Sequence, residues 1–152
     1  MSKATAVPFE VTHLVRDTCL CLHLQRAARA LARRFDDAMR PLGLTSGQYS
    51  MMMSLNRPEP PTIGSVAALL AMDRTTLTAA LKPLQRRRLV TVMVDADDRR
   101  SRRLKLTTAG CAMLARAVPI WRATHAEIDG LLPPSGSDRL RGDLRALCRT
   151  TV

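Results

Sequence analysis

Residues 62–107 constrain this chain more than any other stretch of its sequence. The run Thr62-Ile63-Gly64-Ser65-Val66-Ala67-Ala68-Leu69-Leu70 reads as a helix, and Asp73-Arg74-Thr75-Thr76-Leu77-Thr78-Ala79-Ala80-Leu81 reads as a second helix after a tight turn. In the second helix Leu77, Leu81 and Leu84 fall at i, i+4 and i+7, which makes one buried stripe and turns Thr75, Thr76, Thr78, Ala79 and Lys82 outward. That outward face is short, polar and without acids. It suits the floor of a DNA major groove, where Thr and Lys meet base edges and a small apolar group meets a thymine methyl. Asp73 stands at the N-cap, its carboxylate placed to accept from free amides of the first turn, so the helix should start at Arg74. Arg74, Thr75, Thr76, Thr78 and Lys82 are therefore the candidate base and backbone contacts. Pro83, inside the same helix, forfeits an amide bond to Ala79 and should kink or tighten it.

The chain then alternates as a strand through Leu89-Val90-Thr91-Val92-Met93-Val94, turns at Asp95-Ala96-Asp97-Asp98, and returns through Arg103-Leu104-Lys105-Leu106 with both leucines on one face. Arg99, Arg100, Arg102 and Arg103 crowd the tip. Guanidinium groups at that density repel unless something anionic meets them, and a narrow, electronegative minor groove is such a partner. Charge over the whole chain agrees: 24 Lys and Arg against 13 Asp and Glu give a net charge of +11. A polyanionic partner is expected.

Before this unit, residues 1–9 read as a flexible arm ended by Pro8. From about Val11 to Arg40 runs one long helical pattern, with Leu14, Cys21, Ala28, Phe35 and Leu42 in heptad register and Pro41 and Gly43 closing it. Such a helix is roughly 45 Å long, more than a small domain covers, so a second subunit is expected. The opposite face carries Arg26, Arg29, Arg33 and Arg34, read first as a solvated face and otherwise as one lying near the DNA backbone. Thr45-Ser46-Gly47-Gln48 has the form of a capping box opening a helix through Leu55, and the methionine run Met51-Met52-Met53 reads first as core and otherwise as the lining of an adaptable pocket. Thr107 should cap a helix running to about Ile128, and an amphipathic helix from Ser137 to Cys148 carries Leu140, Leu144 and Leu147.

At 152 residues the chain suits one domain. No apolar run is long enough to span a bilayer and the start lacks the apolar block of a secretion signal, so a cytoplasmic, nucleoid-associated protein without a membrane partner is expected. Four cysteines in so Ala- and Leu-rich a chain read as reduced thiols. Cys19 and Cys21 point to opposite sides of any regular helix and could not bridge each other there. Cys19 and His23, four apart, fall short of a metal site, and neither metal nor cofactor is expected. No Ser-His-Asp set, carboxylate cluster or phosphate-cradling glycine loop is present, and Asp97 and Asp98 sit beside arginines, so an enzyme is not expected.

The link Pro41-Leu42-Gly43-Leu44-Thr45, the helix start Asp73-Arg74-Thr75-Thr76, the strand Leu89-Val90, and Asp98-Arg99-Arg100 followed by Leu106-Thr107-Thr108-Ala109-Gly110 closely resemble the MarR family of winged helix-turn-helix regulators over residues 12–148. The resemblance implies a mainly α fold with a small β-hairpin wing, dimerising through its N- and C-terminal helices. The segments would be a dimerisation helix at 11–44, a winged helix-turn-helix core at 45–107 and dimerisation helices at 108–152. It also implies a homodimer on a near-palindromic double-stranded operator, with the recognition helix in the major groove and the wing in the flanking minor groove. In the family's motif the wing Asp pairs with the Arg two places on, so Asp98 and Arg100 would shape the hairpin and leave Arg99 or Arg102 for DNA. Arg88 stands where the family has glycine, at a place that often needs a left-handed backbone.

By the same resemblance the protein would be a repressor relieved by a small-molecule ligand or by cysteine oxidation. An effector pocket is expected among His13, Gln25, Tyr49, Met52 and Trp121. Cys21 sits where the family's organic-hydroperoxide regulators carry their reactive cysteine, but Phe35 and Ser46 replace the tyrosines that help hold its thiolate, and a thiol on an apolar heptad face is otherwise a buried structural one. The alternative to a sequence-specific regulator is an architectural protein coating DNA through its charge.

Overall fold

The computed structural model describes residues 6–149, so residues 1–5 of the expected arm and residues 150–152 lie outside the described residues. Among the described residues, seven α-helices and one antiparallel hairpin follow in the order α1 (Phe9–Thr18), α2 (Leu20–Met39), α3 (Ser46–Ser54), α4 (Ile63–Leu69), α5 (Arg74–Arg86), β1 (Val90–Val94), β2 (Arg102–Leu106), α6 (Thr108–Asp129) and α7 (Gly136–Cys148). A mainly α architecture with a β-hairpin wing is thus present.

Local chemistry accounts for most boundaries. Thr45 accepts from the Gln48 amide at 3.2 Å while the Gln48 side chain accepts from the Thr45 amide at 3.1 Å, the reciprocal capping box. Thr62 accepts from the Ser65 amide at 3.1 Å, Asp73 from the Thr76 amide at 2.8 Å and Thr107 from the Gly110 amide at 2.9 Å. Each cap satisfies an amide that its helix cannot. Pro83 does not end α5, which runs on to Arg86.

One expected element is corrected. The long first helix is two helices, because Cys19 adopts extended geometry (φ −71°, ψ 107°) and serves as the N-cap of α2. Thr18 next to it turns its hydroxyl back onto the Leu14 carbonyl at 2.7 Å, a bond that competes with the helical ladder and bends it. The chain also enters α1 at Phe9 rather than Val11.

The core is built where α2, α3, α4, α5 and α6 meet the hairpin. Met39, Met52, Val66, Leu77, Leu81, Leu84 and Leu104 are fully buried, with Tyr49, Leu55, Leu89, Val90, Leu106, Leu114 and Ala117 around them. In the hairpin Val90 pairs Leu106 and Val94 pairs Arg102. That register puts Leu104 and Leu106 inward together. The loop before α4 borders β2, since Leu104 donates its amide to the Pro61 carbonyl at 2.9 Å. Gly110 lets α6 lie against the start of β1: a Cβ there would stand 2.1 Å from the Leu89 carbonyl oxygen. Arg88 adopts the left-handed conformation (φ 55°) its position demanded, and Ala71 does the same (φ 51°) in the turn between α4 and α5.

The heptad stripe is covered at one end only. Leu42 is buried and Phe35 half-buried against α6, whereas Leu14 is 59% exposed and Ala28 is exposed. Leu140, Leu144 and Leu147 of α7 are exposed as well.

Candidate nucleic-acid interface

Helix α5 presents its polar face to the outside because its three leucines are consumed by the core. Arg74, Thr75, Thr78, Ala79 and Lys82 line one shallow depression on that face. Thr76 is exposed beside them, but its hydroxyl is engaged by the cap, donating to Asp73 at 2.5 Å. That hydrogen bond, with the backbone one from Thr76, holds the Asp73 carboxyl below the usual carboxylate range. Thr78 donates to the Arg74 carbonyl at 2.7 Å, leaving its methyl and lone pairs outward. Arg74 itself folds over α4: a Cβ on Gly64 would lie 2.9 Å from its guanidinium, so this glycine makes the room in which the arginine rests.

The wing is anchored differently from the expected Asp98–Arg100 pairing. Asp98 accepts the Arg100 backbone amide at 2.9 Å, and its own carbonyl accepts the Ser101 amide at 2.8 Å. It shapes the turn without engaging the Arg100 guanidinium. The side-chain pair is Arg103 with Asp95, Nε to Oδ2 at 2.7 Å, and Arg103 also donates to the Pro60 carbonyl at 2.9 Å. Arg103 therefore ties the hairpin to the loop before α4 and does not stand free at the tip. Asp95 follows β1 where the turn begins, and packing, not spacing, decides which arginine reaches it. Arg102 folds back onto the Arg99 and Ser101 carbonyls at 2.9 and 3.1 Å. Arg99 and Arg100 are exposed at the tip.

A cavity of about 650 Å³ opens between α3, α4 and α6. Of the five expected lining residues, only Tyr49 and Trp121 line it, their rings 6.3 Å apart and stacked. Met52 is fully buried in the core, and Met53, one position on, faces the cavity instead. Helical rotation of about 100° per residue separates the two. His13 and Gln25 lie away on α1 and α2 and do not line it: His13 packs on Phe9 with centroids 4.6 Å apart, and Gln25 donates to the Cys21 sulfur at 3.2 Å. The remaining wall was not anticipated: Leu69, Leu70 and Val118 are apolar, and Arg57 and Arg122 bring charge. Val118 and Arg122 lie one turn apart on α6 and flank Trp121, a helical spacing that marks one face. Arg57 lies outside any periodic element and carried no such signal. Burial pushes the Tyr49 phenol up, with the Arg122 charge opposing.

Cys21 is exposed in the single chain, not buried as the apolar heptad register suggested. The break at Cys19 also removes the regular helix on which the opposed directions of Cys19 and Cys21 depended. His23 turns Nδ1 to the Cys19 carbonyl at 2.9 Å.

Residues 44–101 match the model of the MarR family. The chain is 29% identical over 140 residues to the organic hydroperoxide resistance transcriptional regulator of Bacillus subtilis, covering 91% of this chain and 92% of that protein. Among solved structures it resembles the transcriptional regulator MosR of M. tuberculosis in complex with DNA, at 39% identity and a TM-score of 0.77, covering 85% of this chain and 92% of that one. It also resembles the transcriptional repressor CouR bound to a 23-mer DNA duplex, at 26% identity and a TM-score of 0.79, covering 95% and 99% of the two chains.

Proposed function

The chain belongs to the MarR family of transcriptional regulators, and on that premise we propose that it works as a homodimeric repressor that reads a near-palindromic operator and releases it on an effector signal. The observation that carries this reading is the acid-free outer face of α5, held by the Asp73 cap, with the arginine-tipped wing following it in the chain. Arg74, Thr75, Thr78 and Lys82 would enter the major groove, Thr76 stiffening the cap, while Arg99, Arg100 and Arg102 would meet the minor groove or its phosphates. Relatives of this chain are transcriptional regulators rather than catalysts. Among the described residues no helix is long and apolar enough to cross a membrane, and the working location would be the nucleoid. Footprinting on a selected duplex tests the reading. Protection of a short near-palindrome is expected, with Lys82→Ala relaxing base preference and Arg99→Ala weakening all sequences alike and lowering the salt slope by about one. Protection spread without a preferred site would favour an architectural DNA coat.

The effector would occupy the cavity bounded by Trp121, Tyr49 and Met53. Its apolar wall and two arginines suit an organic acid with a flat apolar body, the carboxylate meeting Arg57 or Arg122. Binding there would bias α4, and the α5 it supports, against α6.

A second route has its own observation, the exposed Cys21 sulfur under the Gln25 amide. The Cys21 thiolate would attack the outer oxygen of an organic hydroperoxide, breaking the O–O bond, and with one proton taken from solvent this gives a sulfenic acid and the corresponding alcohol. Titrating wild type and Cys21→Ser with cumene hydroperoxide while following operator release decides this: equal responses would remove Cys21 as the sensor.

A further inference from the structure

Arg87 reaches across 44 positions of sequence to the end of the long second helix. Its Nη1 donates to the Gly43 carbonyl at 2.5 Å and its Nη2 to the Leu42 carbonyl at 3.0 Å. The two ends it joins are themselves fixed. On one side Arg87 is the C-cap of α5, its amide on the Pro83 carbonyl at 3.1 Å, followed by the Arg88 amide on Gln85 at 2.9 Å and the left-handed Arg88. On the other, a 3-10 turn at Arg40–Leu42 extends α2 and closes at Gly43 in left-handed geometry (φ 62°), with the Gly43 amide on the Arg40 carbonyl at 2.9 Å. Leu42 and Gly43 thus offer unpaired carbonyls at the negative end of the α2 dipole. One planar guanidinium spanning both sets a direction as well as a distance, which a lysine ammonium could not do.

We propose that Arg87 is a positioning residue that transmits the placement of α2 to the recognition helix, so that the spacing between the two reading heads of the dimer is held rigidly. The inference rests on the DNA-binding reading above. Arg87 is exposed and only its bond to the Leu42 carbonyl is part-buried, so the fork adds modestly to folding. Its consequence is geometric: without it α5 keeps its core leucines and its outer face but gains play relative to the helix expected to carry the dimer contacts.

The test compares wild type, Arg87→Lys and Arg87→Ala on the duplex selected by wild type, on the same half-sites with one base pair inserted or removed, and on a single half-site. One base pair moves a half-site by about 3.4 Å. Wild type is expected to lose affinity by about tenfold on the altered spacings, and both variants to discriminate by less than about threefold, with half-site affinity and thermal midpoint near wild type. Variants as selective for spacing as wild type overturn the proposal, and so does a loss equal on half-site and full operator. Should Arg87→Ala fail to fold, Arg87→Lys decides by the same criteria. Wild type without any sequence preference would defeat the DNA-binding reading instead, a result distinct from either.

Discussion

Arg103 and Asp95 form the half-buried ion pair on which the wing turns, Nε to Oδ2 at 2.7 Å, with Asp95 only 6% exposed. The Asp97 backbone amide and, after it, Arg103 hold the Asp95 carboxyl below its ordinary value. A carboxyl depressed in the folded state stabilises above its unfolded pKa, about 3.9, and loses that contribution as pH falls through the lower folded value. Amide protection in β1 and β2 should therefore fall on acidification below that range in wild type. Asp95→Asn should show weaker protection above that range, lack the acid step, and converge with wild type once the wild-type carboxyl is protonated. Arg103→Ala should lower operator affinity through a loosened wing, whereas Arg99→Ala should leave wing protection intact.

Two backbone positions should respond in opposite senses. A methyl at Gly110 meets the Leu89 carbonyl oxygen at 2.1 Å, so Gly110→Ala must push α6 off β1. A cost of about 1–3 kcal/mol is expected, read as a lower urea midpoint at unchanged slope. Arg88→Gly removes a left-handed strain of roughly 1 kcal/mol, partly offset by the entropy of the unfolded glycine. Its midpoint should rise slightly, and a fall would show that the Arg88 side chain is needed for more than its conformation.

The exposed apolar groups of α1, α2 and α7, among them Leu14, Leu24, Leu140 and Leu144, call for a covering surface. A second copy of the chain would supply it. Sedimentation should show a dimer for wild type and a concentration-dependent shift to monomer for Leu144→Glu, with operator binding falling in parallel. A monomeric wild type that binds the operator would refute the dimeric reading.

Trp121 is the chain's single tryptophan and stacks on Tyr49 in the cavity wall. Aromatic carboxylic acids that bind there should change its emission saturably. Arg122→Ala should weaken that binding by about tenfold, the loss of one charge-assisted hydrogen bond, while Gln25→Ala, away from the cavity, should leave it unchanged. Equal effects from both would place the ligand elsewhere.

The sequence by itself determined most of the elements and their caps, but not the break at Cys19 that divides the expected first helix. Leu77, Leu81 and Leu84, the Thr45–Gln48 box, Asp73, Thr107, and the alternation of Leu104 and Leu106 each depend on partners a few residues away, so periodicity and side-chain chemistry suffice to read them. The left-handed backbone at Arg88 was legible only through the family resemblance, which puts a glycine at that place. Only the tertiary structure decided which arginine anchors the wing, that Met53 and not Met52 faces the cavity, that Arg57 and Arg122 charge its wall, and that Arg87 spans to Leu42 and Gly43. Apart from Arg103 and Asp95, eight positions apart, these contacts join residues far apart in the chain. They are set by where packed elements come to rest against one another, a sum over the whole core that no local pattern carries.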